Sequence, residues 1–274
     1  MPELPEVETI VRQLRPRLVG RRLLRVEVRW ARSIARPSVR KFCDGLAGRR
    51  IDALRRRGKF FVLDLDDGCA LVGHLRMTGR LVVGRRPDEA FARVVFELDR
   101  GERLVFSDVR KFGRLALVAR LDEATGDIGP EPLELQGDWL HAALAARRRR
   151  LKPLLLDQSF LAGLGNIYVD ESLHRAGLHP LRSSERVTRR QADTLARAIR
   201  ETLTNAIAAE GSSFDTFYRT PEGRPGAFQD EFAVYGRGGR PCRSCGATIR
   251  RLVVGQRGTH VCPKCQPAPR GVRP

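Results

Sequence analysis

Apolar residues recur at helical spacing near the N-terminus and then alternate with polar residues in the segments that follow. A helix is predicted over residues 5–19 by apolar residues three or four positions apart, at Val7, Ile10, Val11, Leu14 and Leu18. Short apolar or alternating runs bounded by turn residues predict strands over 23–29, 50–57, 59–65, 69–75, 93–98, 103–107 and 114–119. The first ~120 residues are therefore expected to form a β-sandwich or barrel with a helix at its start.

The pattern changes after residue 120, where an acidic segment containing Gly and Pro predicts a linker over 121–137. Helical spacing then predicts helices over 139–149, 153–158, 166–176 and 189–210, with Thr188 as the N-cap of the last one. Residues 212–226 are rich in Gly, Ser and Pro and predict a loop. The chain is therefore expected to divide into a β-rich domain over 1–120, the linker, a helical domain over 138–231 and a C-terminal segment over 232–274.

Four of the six cysteines form two close pairs in the C-terminal segment, Cys242-x-x-Cys245 and Cys262-x-x-Cys265. This spacing predicts one structural zinc ion, because each pair supplies two ligands of a tetrahedron and residues 246–261 can form a hairpin between them. Two disulfides are the alternative, and a cytoplasmic location disfavours them. Cys43 and Cys69 are expected to be free thiols in packed surroundings.

The charge of the chain indicates a polyanionic partner. Lys and Arg number 51 against 32 Asp and Glu, a net charge of +19. Nucleic acid is favoured over an anionic membrane, because no basic amphipathic helix with aromatic anchors is evident. No apolar run reaches the ~18 residues of a membrane span, and no signal-peptide pattern is present. We therefore expect a folded cytoplasmic protein, whose C-terminal segment, free of acidic residues after Glu231, contributes to binding.

The candidate chemistry lies at the N-terminus, since no Ser-His-Asp set, phosphate-binding glycine loop or HExxH pattern occurs. Pro2 is small enough to permit removal of the initiator Met, which would expose a secondary amine. A terminal amine with a pKa of ~8 is partly uncharged at neutral pH and can attack a carbonyl-level carbon to form an imine. Glu3 beside it could shuttle protons. The alternative is a frayed, inert terminus.

Several sequence motifs resemble those of one known family, the formamidopyrimidine-DNA glycosylases. They occur in the family's order and span nearly the whole chain. They are Met1-Pro-Glu-Leu-Pro-Glu-Val-Glu-Thr9, Arg57-Gly-Lys59, His74-Leu-Arg-Met-Thr-Gly79, Asp108-Val-Arg-Lys-Phe-Gly113, Gly129-Pro-Glu-Pro132, Lys152-Pro-Leu-Leu-Leu-Asp157, Gly163-Leu-Gly-Asn-Ile-Tyr168, Val234-Tyr-Gly-Arg237 and the four-cysteine finger. The resemblance implies an α+β protein: an N-terminal β-sandwich with a leading helix, a helix–two-turn–helix domain and a C-terminal β-hairpin zinc finger.

The resemblance also implies an activity in base-excision DNA repair. A bifunctional DNA glycosylase and AP lyase of this kind acts as a monomer on double-stranded DNA with oxidised purines or abasic sites, and is associated with the nucleoid. Its substrates include 8-oxoguanine opposite cytosine and formamidopyrimidines. Pro2 then resembles the nucleophile that forms a Schiff base at C1′, and Glu3 its acid/base partner. Lys59 resembles the lysine that assists β-elimination, and Arg257 the phosphate-binding arginine that serves δ-elimination.

Further residues match positions that contact DNA in this family. Met77, Arg110 and Phe112 resemble the set that fills the gap left by an extruded base, with Arg110 reaching the orphaned cytosine. The resemblance assigns the lesion pocket to Glu6, lesion capping to the loop over 212–226, and phosphate or backbone contacts to His74, Arg148, Lys152, Asn166 and Tyr235. Two positions depart from the family pattern: Lys111 stands where a second Arg is common, and Phe91 where a DNA-contacting His is common.

Two other functions remain open at this stage. An enzyme resembling endonuclease VIII, specific for oxidised pyrimidines, is disfavoured by Leu4 and by the set of Met77, Arg110 and Phe112. A non-enzymatic zinc protein that binds DNA would explain the charge and the four cysteines, but it would leave the N-terminal motif without a role.

Overall fold

The computed structural model describes residues 2–214, 218–269 and 271. Met1, residues 215–217 of the loop predicted over 212–226, and residues 270 and 272–274 of the C-terminal segment lie outside the described residues. The chain divides into two compact units: Met1–Asp127 with Ala209–Ala227, and Ile128–Ala208 with Phe228–Pro274. Among the described residues, no helix combines the length and apolar character that crossing a membrane requires.

The first unit is built on two β-sheets. One has the order β1-β7-β8-β6 and is antiparallel throughout, and the other has the order β2-β9-β5-β4-β3, with β2 parallel to β9. The strands are β1 (Leu23–Val28), β2 (Ile34–Arg36), β3 (Ile51–Arg57), β4 (Phe60–Leu65), β5 (Ala70–His74), β6 (Gly79–Gly84), β7 (Ala92–Leu98), β8 (Arg103–Asp108) and β9 (Arg114–Val118). Buried residues of both sheets form one apolar cluster, so the predicted sandwich is confirmed.

In the described part of this unit, three helices accompany the sheets: α1 (Leu4–Leu18), α2 (Val39–Leu46) and α3 (Asp122–Thr125). Helix α1 buries its predicted apolar stripe in the cluster between the sheets, and Gly20, at φ +82°, follows its end in the left-handed conformation. Sequence patterning missed α2, which buries only Phe42 and Leu46, and also the strands β2 and β6. Cys43 and Cys69 are free thiols that pack against the cluster, as predicted.

The described residues of the second unit form four helices and a β-hairpin: α4 (Gly137–Ala145), α5 (Leu151–Leu155), α6 (Asn166–Arg175), α7 (Arg189–Ala208), β10 (Arg250–Val254) and β11 (Arg257–Val261). Thr188 caps α7 as predicted, since its Oγ1 accepts the Gln191 N–H at 3.3 Å and the Gln191 side chain accepts the Thr188 N–H at 3.1 Å. Short 3₁₀ turns occur at Ala31–Ser33, Asp99–Gly101, Pro132–Glu134, Ser184–Arg186 and Phe228–Glu231.

Candidate active site and nucleic-acid interface

The N-terminal residues are held in place by the start of α1. Glu3 is the N-cap of the helix and forms a reciprocal capping box with Glu6, whose Oε2 accepts the Glu3 N–H at 2.8 Å. The other Glu6 oxygen accepts the N–H of Ser212 at 2.8 Å, so one buried carboxylate joins the helix start to the predicted loop. Pro2 and Glu3 are both buried. This terminus is therefore ordered, in contrast to the frayed alternative.

The loop predicted over 212–226 is anchored near both of its ends. Ser212 forms an isolated β-bridge with Ala227, and Ser213 Oγ donates to the Tyr218 carbonyl at 2.8 Å. The Tyr218 ring is part of the apolar cluster between the sheets, and its hydroxyl donates to the Glu210 carbonyl at 3.0 Å. Burial, followed by the negative charge of Glu6, raises the pKa of Tyr218, so the hydroxyl keeps its proton.

Lys59 lies at the turn between β3 and β4, where Gly58 adopts a positive φ of +55°. Its side chain is largely buried, and the neighbouring Phe60 ring packs edge-on against His74 at 4.8 Å. Burial, followed by the positive charges of Arg76 and Lys59, lowers the pKa of His74 to about 3. His74 is therefore neutral at physiological pH, and since its Nδ1 accepts the Arg76 N–H at 2.9 Å, its proton lies on Nε2. A neutral Nε2–H is a suitable donor to phosphate.

The three residues predicted to fill the gap in DNA lie together on the first unit. Arg110 Nη1 donates to Met77 Sδ at 3.1 Å, and its guanidinium lies 4.7 Å from the centroid of the Phe112 ring. Met77 and Phe112 are 37% and 46% exposed, which is high for large apolar side chains and suits an insertion surface.

Asp108 fixes the loop that carries Arg110 and Phe112. Its carboxylate accepts hydrogen bonds from Thr78 Oγ1, from Arg110 N at 3.2 Å and from Gly113 N at 2.6 Å. Gly113 has no room for a side chain, because a Cβ would lie 2.4 Å from the Phe106 ring. Asp108 begins the motif Asp108–Gly113, but the sequence alone predicts no role for it.

The two departures from the family pattern also lie on the first unit. Lys111 has a φ of +59°, and its ammonium lies 4.2 Å above the Trp30 ring, a cation–π contact. Phe91 is exposed in left-handed backbone at φ +60° and lines an open cavity of about 370 Å³ together with Arg80 and Glu222. An aromatic ring there cannot donate a hydrogen bond to phosphate.

In the second unit, the predicted DNA-contacting residues Arg257, Asn166 and Tyr235 lie in or against β11. Arg257 is exposed at the first position of this strand, and Asn166 Nδ2 donates to the carbonyl of the next residue, Gly258, at 2.9 Å. Asn166 is the first residue of α6, whose N-cap is Gly165. The Tyr235 ring packs edge-on against His260 at 5.2 Å.

Lys152 and Arg148 occupy opposite extremes of exposure. The Lys152 side chain has no exposed surface, and its Nζ donates to Asp170 at 2.6 Å and to the Gly258 carbonyl at 3.1 Å. A direct phosphate contact by Lys152 would require this ion pair to open. The Arg148 side chain is 85% exposed, 3.4 Å from Glu185.

Two buried acids of α6, Asp170 and Glu171, were not predicted as functional residues from the sequence. The Glu171 carboxylate accepts three consecutive backbone N–H groups, from Ala233, Val234 and Tyr235, at 2.8, 3.0 and 2.8 Å. It thereby fixes the segment that carries Tyr235. The signal that the sequence offered for these two residues is a pair of adjacent acids in a strongly basic chain, just after the motif that ends at Tyr168.

The four cysteines of the C-terminal segment form one cluster. Their sulfur atoms all lie within 4.8 Å of one another, with Cys242 3.9 Å from Cys265 and Cys245 3.4 Å from Cys262. A tetrahedral zinc ion with Zn–S bonds of ~2.3 Å places its sulfur ligands ~3.8 Å apart, so the cluster fits one structural zinc ion. His174 Nε2 lies 3.6 Å from Cys242 Sγ and supports this ligand from α6.

Comparison with known proteins agrees with this architecture. Residues 1–115 match the formamidopyrimidine-DNA glycosylase N-terminal domain, residues 128–218 its H2TH domain, and residues 239–268 the zinc finger found in FPG and IleRS. The formamidopyrimidine-DNA glycosylase of Heliobacterium modesticaldum is 48% identical over 97% of this chain and 100% of its own length.

Solved structures extend the comparison to three dimensions. The MutM (FPG) protein of Thermus thermophilus superposes with a TM-score of 0.87 at 43% identity, over 97% of this chain and 98% of that one. Lactococcus lactis Fpg in complex with FAPY-dG containing DNA gives a TM-score of 0.88 at 34% identity, over 97% of this chain and 100% of that one. With these similarities along its length, this chain belongs to the formamidopyrimidine-DNA glycosylase family, a family of base-excision DNA glycosylases with AP lyase activity.

Proposed function

We propose that this protein excises oxidised purines, 8-oxoguanine opposite cytosine and formamidopyrimidines, from double-stranded DNA and then cleaves the resulting abasic site by β,δ-elimination. The observation that carries the proposal is the ordered N-terminus. Pro2 is buried directly before a helix whose first carboxylates, Glu3 and Glu6, form a reciprocal capping box. A terminal amine held in this way is positioned for attack, which a frayed terminus is not.

The first step forms a covalent bond between protein and sugar. After removal of the initiator Met, the uncharged amine of Pro2 attacks C1′, the N-glycosidic bond breaks, and the base leaves with the electron pair and takes up a proton. The bond between C1′ and O4′ then breaks, O4′ receives a proton from Glu3, and a Schiff base remains on Pro2.

Strand cleavage follows from the Schiff base, which acidifies the protons of the opened sugar. Loss of a C2′ proton expels the 3′ phosphate by β-elimination, and Lys59 binds the phosphate near the reacting centre. Loss of a C4′ proton then expels the 5′ phosphate by δ-elimination. Arg257 holds this phosphate, because a guanidinium keeps its charge and binds phosphate oxygens in a bidentate manner. Water finally hydrolyses the Schiff base and frees Pro2.

Lesion access requires the damaged base to leave the helix. Met77 and Phe112, exposed beside Arg110, fill the vacated space, and Arg110 hydrogen-bonds the orphaned cytosine. Glu6 and the loop over 212–226 hold the extruded base. The contacts assigned to His74, Arg148, Asn166 and Tyr235 lie on the sugar–phosphate backbone, where the net charge of +19 favours binding.

The same proposal includes the organisation of the chain. We assign a catalytic domain to 1–120, a linker to 121–137, a helix–two-turn–helix domain to 138–231 and the zinc finger to 232–274. The enzyme acts as a monomer in the cytoplasm, in association with the nucleoid.

Activity on defined duplexes tests the proposal. Wild-type protein is expected to release 8-oxoguanine opposite cytosine and to cleave that strand, whereas Pro2→Gln binds the duplex without cleaving it. Pro87→Gln, which changes a proline away from the terminus, serves as the control and remains active. Preferential cleavage of an oxidised-pyrimidine duplex would replace the proposed substrate by that of an endonuclease VIII-like enzyme. Binding without cleavage by the wild type would indicate a non-enzymatic DNA-binding protein.

A further inference from the structure

A buried ion pair in the second unit has no part in the mechanism given above. Lys152 of α5 and Asp170 of α6 are 0% and 1% exposed, and Lys152 Nζ lies 2.6 Å from Asp170 Oδ1. Removing two charges from water is costly, and apolar residues of similar volume often serve stability as well or better. A pair of this kind is therefore better explained by the geometry that it imposes on its surroundings.

Both partners of the pair bind the backbone of strand β11. Asp170 Oδ2 accepts the N–H of His260 at 2.8 Å, and Lys152 Nζ donates to the carbonyl of Gly258 at 3.1 Å. Asn166 donates to the same carbonyl at 2.9 Å. The strand is thus held on both sides of Thr259 by side chains that are themselves fixed on helices.

Arg257 immediately precedes the residues that are held. It follows a tight turn in which Gly255 and Gln256 both have positive φ, +56° and +61°, and it pairs with Val254 across the hairpin. The guanidinium itself is exposed, so its direction depends on the backbone that carries it. Hydrogen bonds from the helices reach this backbone at Gly258 and His260.

We propose that Lys152 and Asp170 are positioning residues for Arg257 and set the efficiency of δ-elimination. The inference rests on the role of Arg257 in the proposed function. In that step the C5′–O5′ bond breaks as C4′ loses its proton, and the electron pair leaves on the phosphate oxygen. Arg257 must meet that phosphate in one orientation, which the ion pair preserves. Lys152 therefore acts through the hairpin rather than by touching phosphate.

The test compares β- and δ-elimination products on a duplex with an abasic site, using zinc-loaded protein in single-turnover reactions. Asp170→Asn removes the charge with little change in shape. The double variant Lys152→Met with Asp170→Leu removes both charges and keeps an apolar, similarly sized pair. Glu201→Gln is the control, since it breaks an exposed ion pair of 3.0 Å between α7 and Arg175 of α6. Zinc content and borohydride trapping of the Schiff base are measured in parallel.

Both charge-removing variants are expected to retain zinc and to form the trapped Schiff base at the wild-type rate. The ratio of δ- to β-elimination product is expected to fall about 10- to 100-fold, because a small misplacement of Arg257 is enough to slow the step that it serves. The control keeps the wild-type ratio. An unchanged ratio in both zinc-loaded variants would overturn the inference. Loss of zinc in both would also overturn it, because the pair would then serve the folding of the finger.

Arg257→Ala separates this inference from the function on which it rests. If Arg257→Ala lowers the ratio and the Asp170 variants do not, only the positioning role fails. If Arg257→Ala leaves the ratio unchanged, the assignment of Arg257 to δ-elimination fails first.

Discussion

Replacing Glu6 by Gln is expected to loosen the N-terminal site, because one carboxylate serves two buried backbone donors. Glu6 is 2% exposed, and its two oxygens accept the N–H groups of Glu3 and Ser212, each at 2.8 Å. A carboxamide offers one acceptor oxygen, and its NH₂ group would face the other buried N–H. The variant therefore loses one hydrogen bond to a charged group, worth about 1.5–3 kcal/mol, and gains a donor–donor contact.

We expect Glu6→Gln to lower the free energy of unfolding by about 2–3 kcal/mol in urea titrations. Amide hydrogen exchange reports the local effect, with faster exchange at Glu3 or at Ser212. Arg12→Gln is the matched control on the same helix, since it breaks the 2.7 Å i,i+4 pair that the exposed Arg12 forms with the half-buried Glu8, and it should cost about 0.5 kcal/mol. The reasoning is refuted if Glu6→Gln equals this control in both stability and exchange.

Three further predictions concern pH, zinc and the insertion surface. Folded His74 stays neutral down to about pH 3, whereas in the unfolded chain it takes up a proton near its usual pKa of 6.5. The contribution of neutral His74 to the free energy of unfolding is therefore complete above pH 6.5. It is lost as the pH falls toward 3, by about 1.4 kcal/mol per pH unit. Urea titrations between pH 7.5 and 4.5 should show a shallower loss for His74→Gln than for wild type or for the control His141→Gln, and equal slopes would contradict the assignment. Cys245→Ser should lose the zinc ion and expose the amides of β10 and β11 to exchange; a full complement of zinc would exclude the four-sulfur site. Phe112→Ala should change stability by less than about 0.5 kcal/mol, because the ring is 46% exposed, while lowering excision about tenfold or more; unchanged excision would reject its role as a wedge.

Most of the elements could be predicted because their apolar patterns are strong. The stripe of α1 and most strands of both sheets emerge within about two residues of their expected bounds. Helix α2 could not be found in this way, since eight residues with only Phe42 and Leu46 buried carry little periodicity. Strand β6 alternates buried and half-buried residues, but glycines at both of its ends resemble turn signals.

The residues of the candidate site also differ in how far the sequence alone predicts them. The zinc cluster follows from spacing alone, because ligand geometry constrains the positions of its cysteines. The N-terminal tripeptide is ambiguous in sequence, and the capping box of Glu3 with Glu6 supplies the order that the pattern lacks. Asp170 and Glu171 could not be assigned from their positions, because a helical acid is usually solvated and their backbone partners lie about 60 to 90 residues away along the chain.

Borohydride trapping captures the Schiff base that the proposed mechanism requires on Pro2. The protein is incubated with a duplex carrying 8-oxoguanine opposite cytosine, reduced, digested and mapped by peptide mass spectrometry. We expect one covalent adduct on the nitrogen of Pro2, in a chain that has lost its initiator Met. An adduct on a lysine such as Lys59, or no adduct while the duplex is bound and zinc is present, would contradict the proposed mechanism.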